Sequence, residues 1–351
     1  MIYLDYASHT PADPEVLAEF CRVETEFIAN AMSAHQAGQA AKERLEQIKS
    51  KTISLLNAED AELIFTSGAS EANHMAIKGL AQIGRHSGKH IIATCLEHPS
   101  VTAPLADLKN QGYEIDMADI MPNGNVDVEH IAALLRRDTV LLCLPWVDSE
   151  LGAIQPILQV SELLKAYSNC RFHVDAAQAV GKIPISFDGI DTLSFSPHKF
   201  GGICGIGGLI KAKPITINGH NGTPPLALAA STYKALELTE YDTQIISTLR
   251  NMVIDALKDK VQINSPKDGS PYILNLSTPG IKGTEFQAEL SHRGIYISVK
   301  SACSAAGTPS RPVFAISRDK KRALNSWRVS FSRKTTFEEV EKFIETCKEI
   351  L

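Results

Sequence analysis

The stretch Arg171-Phe-His173-Val-Asp175-Ala-Ala-Gln178, followed by Thr192-Leu-Ser-Phe-Ser196-Pro-His198-Lys199, decides the fold of this chain. A short apolar run ends in an acid, which predicts a buried strand with Asp175 at its carboxyl end. A second run, residues 192–196, predicts a strand that delivers Lys199 just before the glycine-rich turn Gly201-Gly-Ile-Cys-Gly-Ile-Gly-Gly208. Ligands of open α/β sheets sit at the carboxyl ends of the strands. The two motifs therefore place an acid and a lysine on one edge. The pair also fits a helix-capping Asp beside an ordinary surface Lys, so the neighbouring segments have to decide.

Strand and helix patterns alternate around this stretch from residue 62 to residue 211. Strands are predicted at 62–66, 89–94, 114–117 and 139–144, and helices at 71–83, 99–110, 127–136 and 156–167. Such alternation predicts βαβ units and a mostly parallel sheet covered on both faces. After Pro224 the pattern turns helical, through 227–238 and 242–257. A further unit has short strands at 272–276, 294–299 and 326–331, with helices at 284–293 and 336–350. That unit reads as α+β, on the order of a hundred residues.

Composition bounds the rest. The 351 residues are 44% hydrophobic and 21% charged, with a mean hydropathy of −0.06, as expected of a soluble globular protein of roughly two domains. A net charge of −5 gives no global positive field for nucleic acid or anionic membrane. The one dense basic cluster, Arg318-Asp-Lys320-Lys321-Arg322, reads as a solvated helix face. No apolar run reaches the roughly 18–20 residues of a membrane span. The start, Met1-Ile-Tyr-Leu-Asp5-Tyr6, lacks the pattern of a secretory signal. Seven cysteines form no CxxC pair and no disulfide-like or metal-ligand spacing. The expectation is a reduced, cytoplasmic protein without a metal site, its cysteines buried thiols by default.

Polar groups gather at the other strand ends as well. Thr66-Ser67-Gly68-Ala69-Ser70-Glu71-Ala-Asn73 lies where a strand hands over to a helix, and its small residues let backbone N–H groups approach an anion. Ser70 can serve as helix cap, as phosphate donor, or both. His98, in Glu97-His98-Pro99-Ser100, has a flat ring that could stack on a cofactor, although a single histidine is ordinarily a cap or solvated. Trp146-Val-Asp148-Ser149-Glu150-Leu-Gly152 adds polar groups at the same edge. An acid and a lysine in this setting suit pyridoxal phosphate, with the lysine as attachment point and the acid paired with the pyridinium nitrogen. Gln178 would then reach the phenolate oxygen.

Taken together, the chain resembles the class V (fold type I) pyridoxal phosphate enzymes, and among them the cysteine desulfurases. The matching segments are Tyr3-Leu-Asp-Tyr6, Thr66 to Glu71, Glu97-His98, Glu150-Leu-Gly152, His173 to Gln178, Ser194 to Lys199, Ser301-Ala-Cys303 and Arg328-Val-Ser330. The resemblance implies an aspartate-aminotransferase-like α/β fold with a mostly parallel central sheet in a large domain, residues 13–240. A smaller α+β domain, residues 241–351, would be completed by residues 1–12. It implies a homodimer with sites at the interface and L-cysteine as substrate. Lys199 would attach the cofactor and later move the α-proton, Asp175 would keep the pyridinium protonated, and His98 would stack on the ring. Ser70, Ser196, His198 and the Ala69 backbone would hold the phosphate, and Arg328 would clamp the substrate carboxylate. Cys303, in a stretch of small residues, would attack the substrate's sulfur and carry it as a persulfide, which requires a thiolate.

The chain also departs from the family pattern. Ser149 stands where desulfurases usually carry an asparagine that contacts cofactor and substrate. The N-terminal turn reads Ser8-His9-Thr10 instead of Ala-Thr-Thr, and Lys300 replaces a glycine. Between Ile217 and Thr223 the usual glycine-rich stretch and its arginine are missing. In the family that segment reaches the partner subunit's phosphate, a role Thr223 can retain. These changes keep other readings open: selenocysteine or other C–S lyase chemistry, transamination, or a non-catalytic interaction partner. A protein sulfur acceptor is implied but not named by the sequence.

Overall fold

The structure, a computed structural model, describes residues 1–217, 219, 222–223, 225–300 and 307–351. Its strands are β1 (Ile2–Tyr3), β2 (Ala61–Thr66), β3 (His90–Thr94), β4 (Glu114–Ala118), β5 (Thr139–Pro145), β6 (Arg171–Asp175), β7 (Thr192–Phe195), β8 (Gly207–Ala212), β9 (Gln262–Ile263), β10 (Ile273–Ser277), β11 (Ile295–Tyr296) and β12 (Ser326–Ser330). Seven form the large sheet, in the order β2-β8-β7-β6-β5-β3-β4. Only β8 runs against its neighbours. The remaining adjacent pairs are parallel, as the strand–helix alternation requires.

Alternate residues of the central strands feed two different cores. Leu141 and Cys143 of β5, with Ile91 and Ala93 of β3, pack under Ala76, Ile77 and Leu80 of helix Ala69–Gly84 and under Val101 and Leu105 of helix Pro99–Asn110. Leu142 and Leu144, with Ile92, face the opposite side and join Ile157 and Val160 there. Period-two projection onto two apolar layers is why these strands read as continuous hydrophobic runs. The second core continues into the three-stranded sheet β12-β10-β9, where Ile273, Leu276, Trp327 and Phe343 belong to the same cluster. Trp327 stacks on Phe286 at 4.7 Å between ring centroids.

The N-terminal residues tie this smaller sheet to the lysine turn. β1 pairs in parallel with β11, Ser330 N donates to Leu4 O, and Thr10 N donates to His198 O. Two helices before β2, Pro14–Glu26 and Gln36–Leu55, lie outside the strand–helix alternation that organised the sequence reading. The predicted strand at 294–299 shrinks to Ile295–Tyr296, because Ser298 meets Arg328 only through an isolated bridge. In the basic cluster, Arg322 is tied down rather than solvated. Its Nε donates to Asn264 Oδ1 at 2.7 Å and its Nη2 to Ile263 O at 2.8 Å. Of the described cysteines, Cys143, Cys170 and Cys347 are buried, Cys95 is half-buried, and Cys21 and Cys204 are exposed, so the default of buried thiols holds for only part of the set.

Candidate active site

The carboxyl ends of β2, β3, β5, β6 and β7 open onto one cavity of about 290 Å³. Its walls bring together Ala69, Ser70, His98, Ser149, Asp175, Gln178, Ser196, His198 and Lys199, nine of the residues singled out in the sequence. Parallel strands place all their carboxyl ends on one edge, so segments more than a hundred residues apart in sequence converge there.

One end of the cavity presents a helix N-terminus, where backbone N–H groups can meet an anion. Helix Ala69–Gly84 starts here with Gly68 at its cap position and no side-chain cap, so Ser70 is a first-turn residue and not the cap the sequence allowed. Ala69 N lies 3.3 Å from Ser196 Oγ, and Ser196 Oγ lies 3.3 Å from His198 Nδ1. Strand β8 presses against this turn at Gly207. A Cβ there would stand 2.4 Å from the Gly68 carbonyl carbon, a distance that only glycine avoids. Burial, followed by the charges of Lys199, His9 and Lys182, pushes the His198 imidazole down to about 4. His9, on the N-terminal turn, stacks on it at 5.8 Å.

Asp175 defines the opposite end. Its Oδ2 accepts from Asn73 Nδ2 at 2.8 Å and its Oδ1 from Ala177 N at 3.0 Å. His98 is a helix cap that also lines the cavity. Its Nδ1 accepts from Ser100 N at 3.2 Å, capping helix Pro99–Asn110, while the ring lines the cavity. Burial, then the Lys199 and Arg311 charges, lowers the His98 pKa against the opposing pull of Asp175. Lys199 Nζ donates to Ser8 O at 2.8 Å and Ala7 O at 3.0 Å. Gln178 donates through Nε2 to Ala7 O at 2.8 Å and accepts at Oε1 from Lys182 Nζ at 2.6 Å. Because a lysine amine faces Oε1, the amide orientation is set and one Nε2 proton remains for a ligand. Burial, reinforced by Lys199 and Arg328, pushes the Lys182 amine well below its ordinary range.

Arg328 does not line this cavity. It is almost fully buried on edge strand β12 and bound by the chain itself: Nη2 donates to Asp5 Oδ1 at 2.7 Å and to Ser8 Oγ at 2.9 Å, and Nη1 to Ser149 O at 2.7 Å. Its Nε is buried and has no hydrogen-bond partner among the described residues. Ser149 thus meets Arg328 through its carbonyl, on a turn where Asp148 Oδ1 accepts from Glu150 N at 3.1 Å and Leu151 N at 2.5 Å. Burial and the neighbouring Glu150 push the Asp148 carboxyl up to about 7. Thr223 is exposed, and its Oγ1 lies 3.3 Å from Asn30 Nδ2, away from the Lys199 cavity. Cys303 lies outside the described residues.

Several contributors went unrecognised in the sequence: Asn73, Ser100, Lys182, and the Asp5–Ser8 pair. Asn73 alone left a usable signal. Three, four and seven residues further on are Ala76, Ile77 and Leu80, so Asn73 is a polar residue on the apolar face of its helix, where it needs a partner.

Comparison with known proteins agrees with this geometry. The Aminotransferase class-V family profile matches residues 2–218. The fold matches a NifS-like protein with a TM-score of 0.91 at 28% identity, over 99% of this chain and 98% of that one. DndA from Streptomyces lividans matches with a TM-score of 0.76 at 34% identity, over 93% and 99%. Cysteine desulfurase IscS of Pseudoalteromonas translucida is 35% identical, covering 99% of this chain and 92% of its own. IscS of Clostridium botulinum is 33% identical, over 100% and 94%. Fold and site thus define a class V enzyme. Within that class the chain belongs to the cysteine desulfurase family.

Proposed function

We propose that this protein removes sulfur from L-cysteine, leaving L-alanine, and passes the sulfur on through Cys303, with pyridoxal phosphate as cofactor. The observation that carries this reading is the meeting of Lys199, Asp175, Gln178 and His98 in one cavity with an anion seat at its other end.

The donor set fits the cofactor. Ala69 N–H, Ser70, Ser196 and His198 would hold the phosphate at the helix N-terminus, and Asp175 would face the ring nitrogen. Gln178 would offer its spare Nε2 proton to the phenolate oxygen, while His98 would lie over the ring face. When bound, pyridoxal phosphate supplies an electron sink for bonds broken at the substrate's α-carbon. Lys199 is the attachment point, and its amine, once released, can carry a proton at the α-carbon. A planar guanidinium grips a carboxylate bidentately. Arg328 would do so by exchanging protein contacts of its two terminal nitrogens, among them the Ser149 carbonyl and the Ser8 hydroxyl, for the two carboxylate oxygens of the substrate. Ser149 would contact the substrate through a single hydroxyl.

The Cys303 thiolate would attack the substrate's sulfur. The substrate's C–S bond breaks, an S–S bond forms, and the alanine carbon takes up a proton. Hydrogen and electrons balance without an external oxidant. A reductant or a protein acceptor then removes the terminal sulfur.

We extend the reading to the assembly. Thr223, remote from its own chain's cavity, would reach the phosphate of a second copy in a homodimer, although the arginine expected before it is missing. Residues 13–240 would form the large domain, and 241–351 with 1–12 the small one. The cysteine usage supports a reducing, cytoplasmic setting. The test supplies L-cysteine and a reductant to the purified protein loaded with cofactor. Equal amounts of alanine and sulfide, lost in Cys303→Ala, are expected. Pyruvate with sulfide, persisting in that variant, would instead make the protein a C–S lyase.

A further inference from the structure

Asn73 sits in the second turn of helix Ala69–Gly84 with no solvent exposure, and every hydrogen-bonding valence of its amide is used. Nδ2 donates to Asp175 Oδ2 at 2.8 Å and to Ser100 Oγ at 2.9 Å. Oδ1 accepts from His173 Nε2 at 3.0 Å and from Ser194 Oγ. The reverse orientation would set the amide oxygen against the Asp175 carboxylate, so the assignment is fixed by chemistry.

The proton positions follow from that amide. Burial pushes His173 down to about 4, so the ring is neutral at ordinary pH. With its Nε2 proton committed to Asn73, Nδ1 accepts from Thr192 Oγ1 at 2.9 Å. Ser100 Oγ lies 2.8 Å from His98 Nδ1, which already accepts from Ser100 N, so the His98 proton resides on Nε2. One amide thus reaches both Asp175 and, through Ser100, His98. It lies a single helical turn beyond Ala69 and Ser70, at the anion seat.

We propose that Asn73 is the positioning residue of the site: it touches no cofactor atom, but holds the ring-nitrogen acid and the ring-stacking histidine in register with the phosphate seat on its own helix. The inference rests on the reading of this cavity as a pyridoxal phosphate site. Aspartate at 73 would oppose Asp175 with a second carboxylate, and an apolar side chain would strand four polar partners.

The test uses wild type, Asn73→Ala and Ser100→Ala, the last cutting only the arm to His98. Each is reconstituted with pyridoxal phosphate, and three quantities are read: cofactor affinity, the pH titration of the bound cofactor's absorbance, and the kcat and KM for L-cysteine. Asn73→Ala should weaken cofactor affinity about 10- to 100-fold and move the midpoint of the absorbance titration. It should lower kcat with KM nearly unchanged. Ser100→Ala should move the titration less, in the same direction. A purely structural Asn73 would lower Tm but leave the titration at its wild-type midpoint in both variants, and that result overturns the inference alone. Should Asn73→Ala fail to fold, Ser100→Ala with wild-type affinity and titration would overturn it equally. A wild-type chain that takes up no pyridoxal phosphate would overturn the cofactor reading, and this inference with it.

Discussion

The two seats of the site differ in how finished they are. At the ring end, buried Asp175, Asn73, His173 and Ser194 and half-buried Ser100 and His98 form a network in which each Asn73 valence is matched before any ligand arrives. At the substrate end, Arg328 is engaged by Asp5, Ser8 and the Ser149 carbonyl, with one buried donor unpaired among the described residues. On the proposed reading the ring end would be preorganised for a cofactor that stays, so little reorganisation would be needed on binding. The Arg328 end would exchange protein contacts for substrate contacts in every cycle. Of the departures noted in the sequence, Ser8 and Ser149 fall at this Arg328 end, while His9 stacks on His198 at the other. The Asn73 network is complete within the chain, whereas the Arg328 cluster holds contacts that a substrate would have to displace.

The most severe way to break this comparison is at Lys199. Lys199→Ala should abolish covalent attachment, seen as loss of the bound-cofactor absorbance under denaturing conditions, and cut turnover at least about 10³-fold. Cys303→Ser should come next. It should leave absorbance and cofactor affinity intact while sulfide release from L-cysteine falls about 10²-fold or more, separating sulfur transfer from the cofactor seat. Arg328→Lys keeps the charge but loses the fork that holds Asp5, Ser8 and Ser149. It should raise the KM for L-cysteine about tenfold with a smaller change in kcat, as steady-state kinetics would show. Gly207→Ala forces a Cβ into the Gly68 turn and should cost about 1–3 kcal/mol, read by denaturant unfolding, together with weaker cofactor binding.

The last prediction is a pH dependence. His173 and His198 are held at about 4, below the roughly 6.5 of an exposed imidazole. As pH falls through that window, the unfolded chain binds protons that the folded chain refuses, so stability declines from about pH 6.5 toward 4. Calorimetry of the cofactor-free protein should show Tm falling across this range, less steeply in His198→Asn. A Tm independent of pH there would mean that the ring end is not held as described.

What the sequence revealed follows the same division. The boundaries of helix Pro99–Asn110 and the gathering of Ala69, Ser70, His98, Asp175, Gln178, Ser196, His198 and Lys199 were legible, because strand periodicity fixes which ends share an edge. The two helices before β2 were not, since no βαβ alternation brackets them. Nor were the partners of Arg328: Asp5 and Ser149 lie far from it in sequence, and they reach it from two places, the N-terminal segment pairing beside β12 and the turn after β5. Asn73 was visible as a residue but not as a hub, because its partners come from three separate segments of the chain. Local pattern reports which groups reach an edge; it does not report which of them bind one another.

The central claim is that sulfur leaves L-cysteine on Cys303 at a site whose cofactor seat is already built. A single turnover of the cofactor-loaded protein with L-cysteine and no reductant, followed by mass analysis of the Cys303 peptide, tests it directly. The account predicts that peptide heavier by one sulfur atom, in step with the alanine formed. Alanine or pyruvate appearing while the Cys303 peptide keeps its original mass would contradict it.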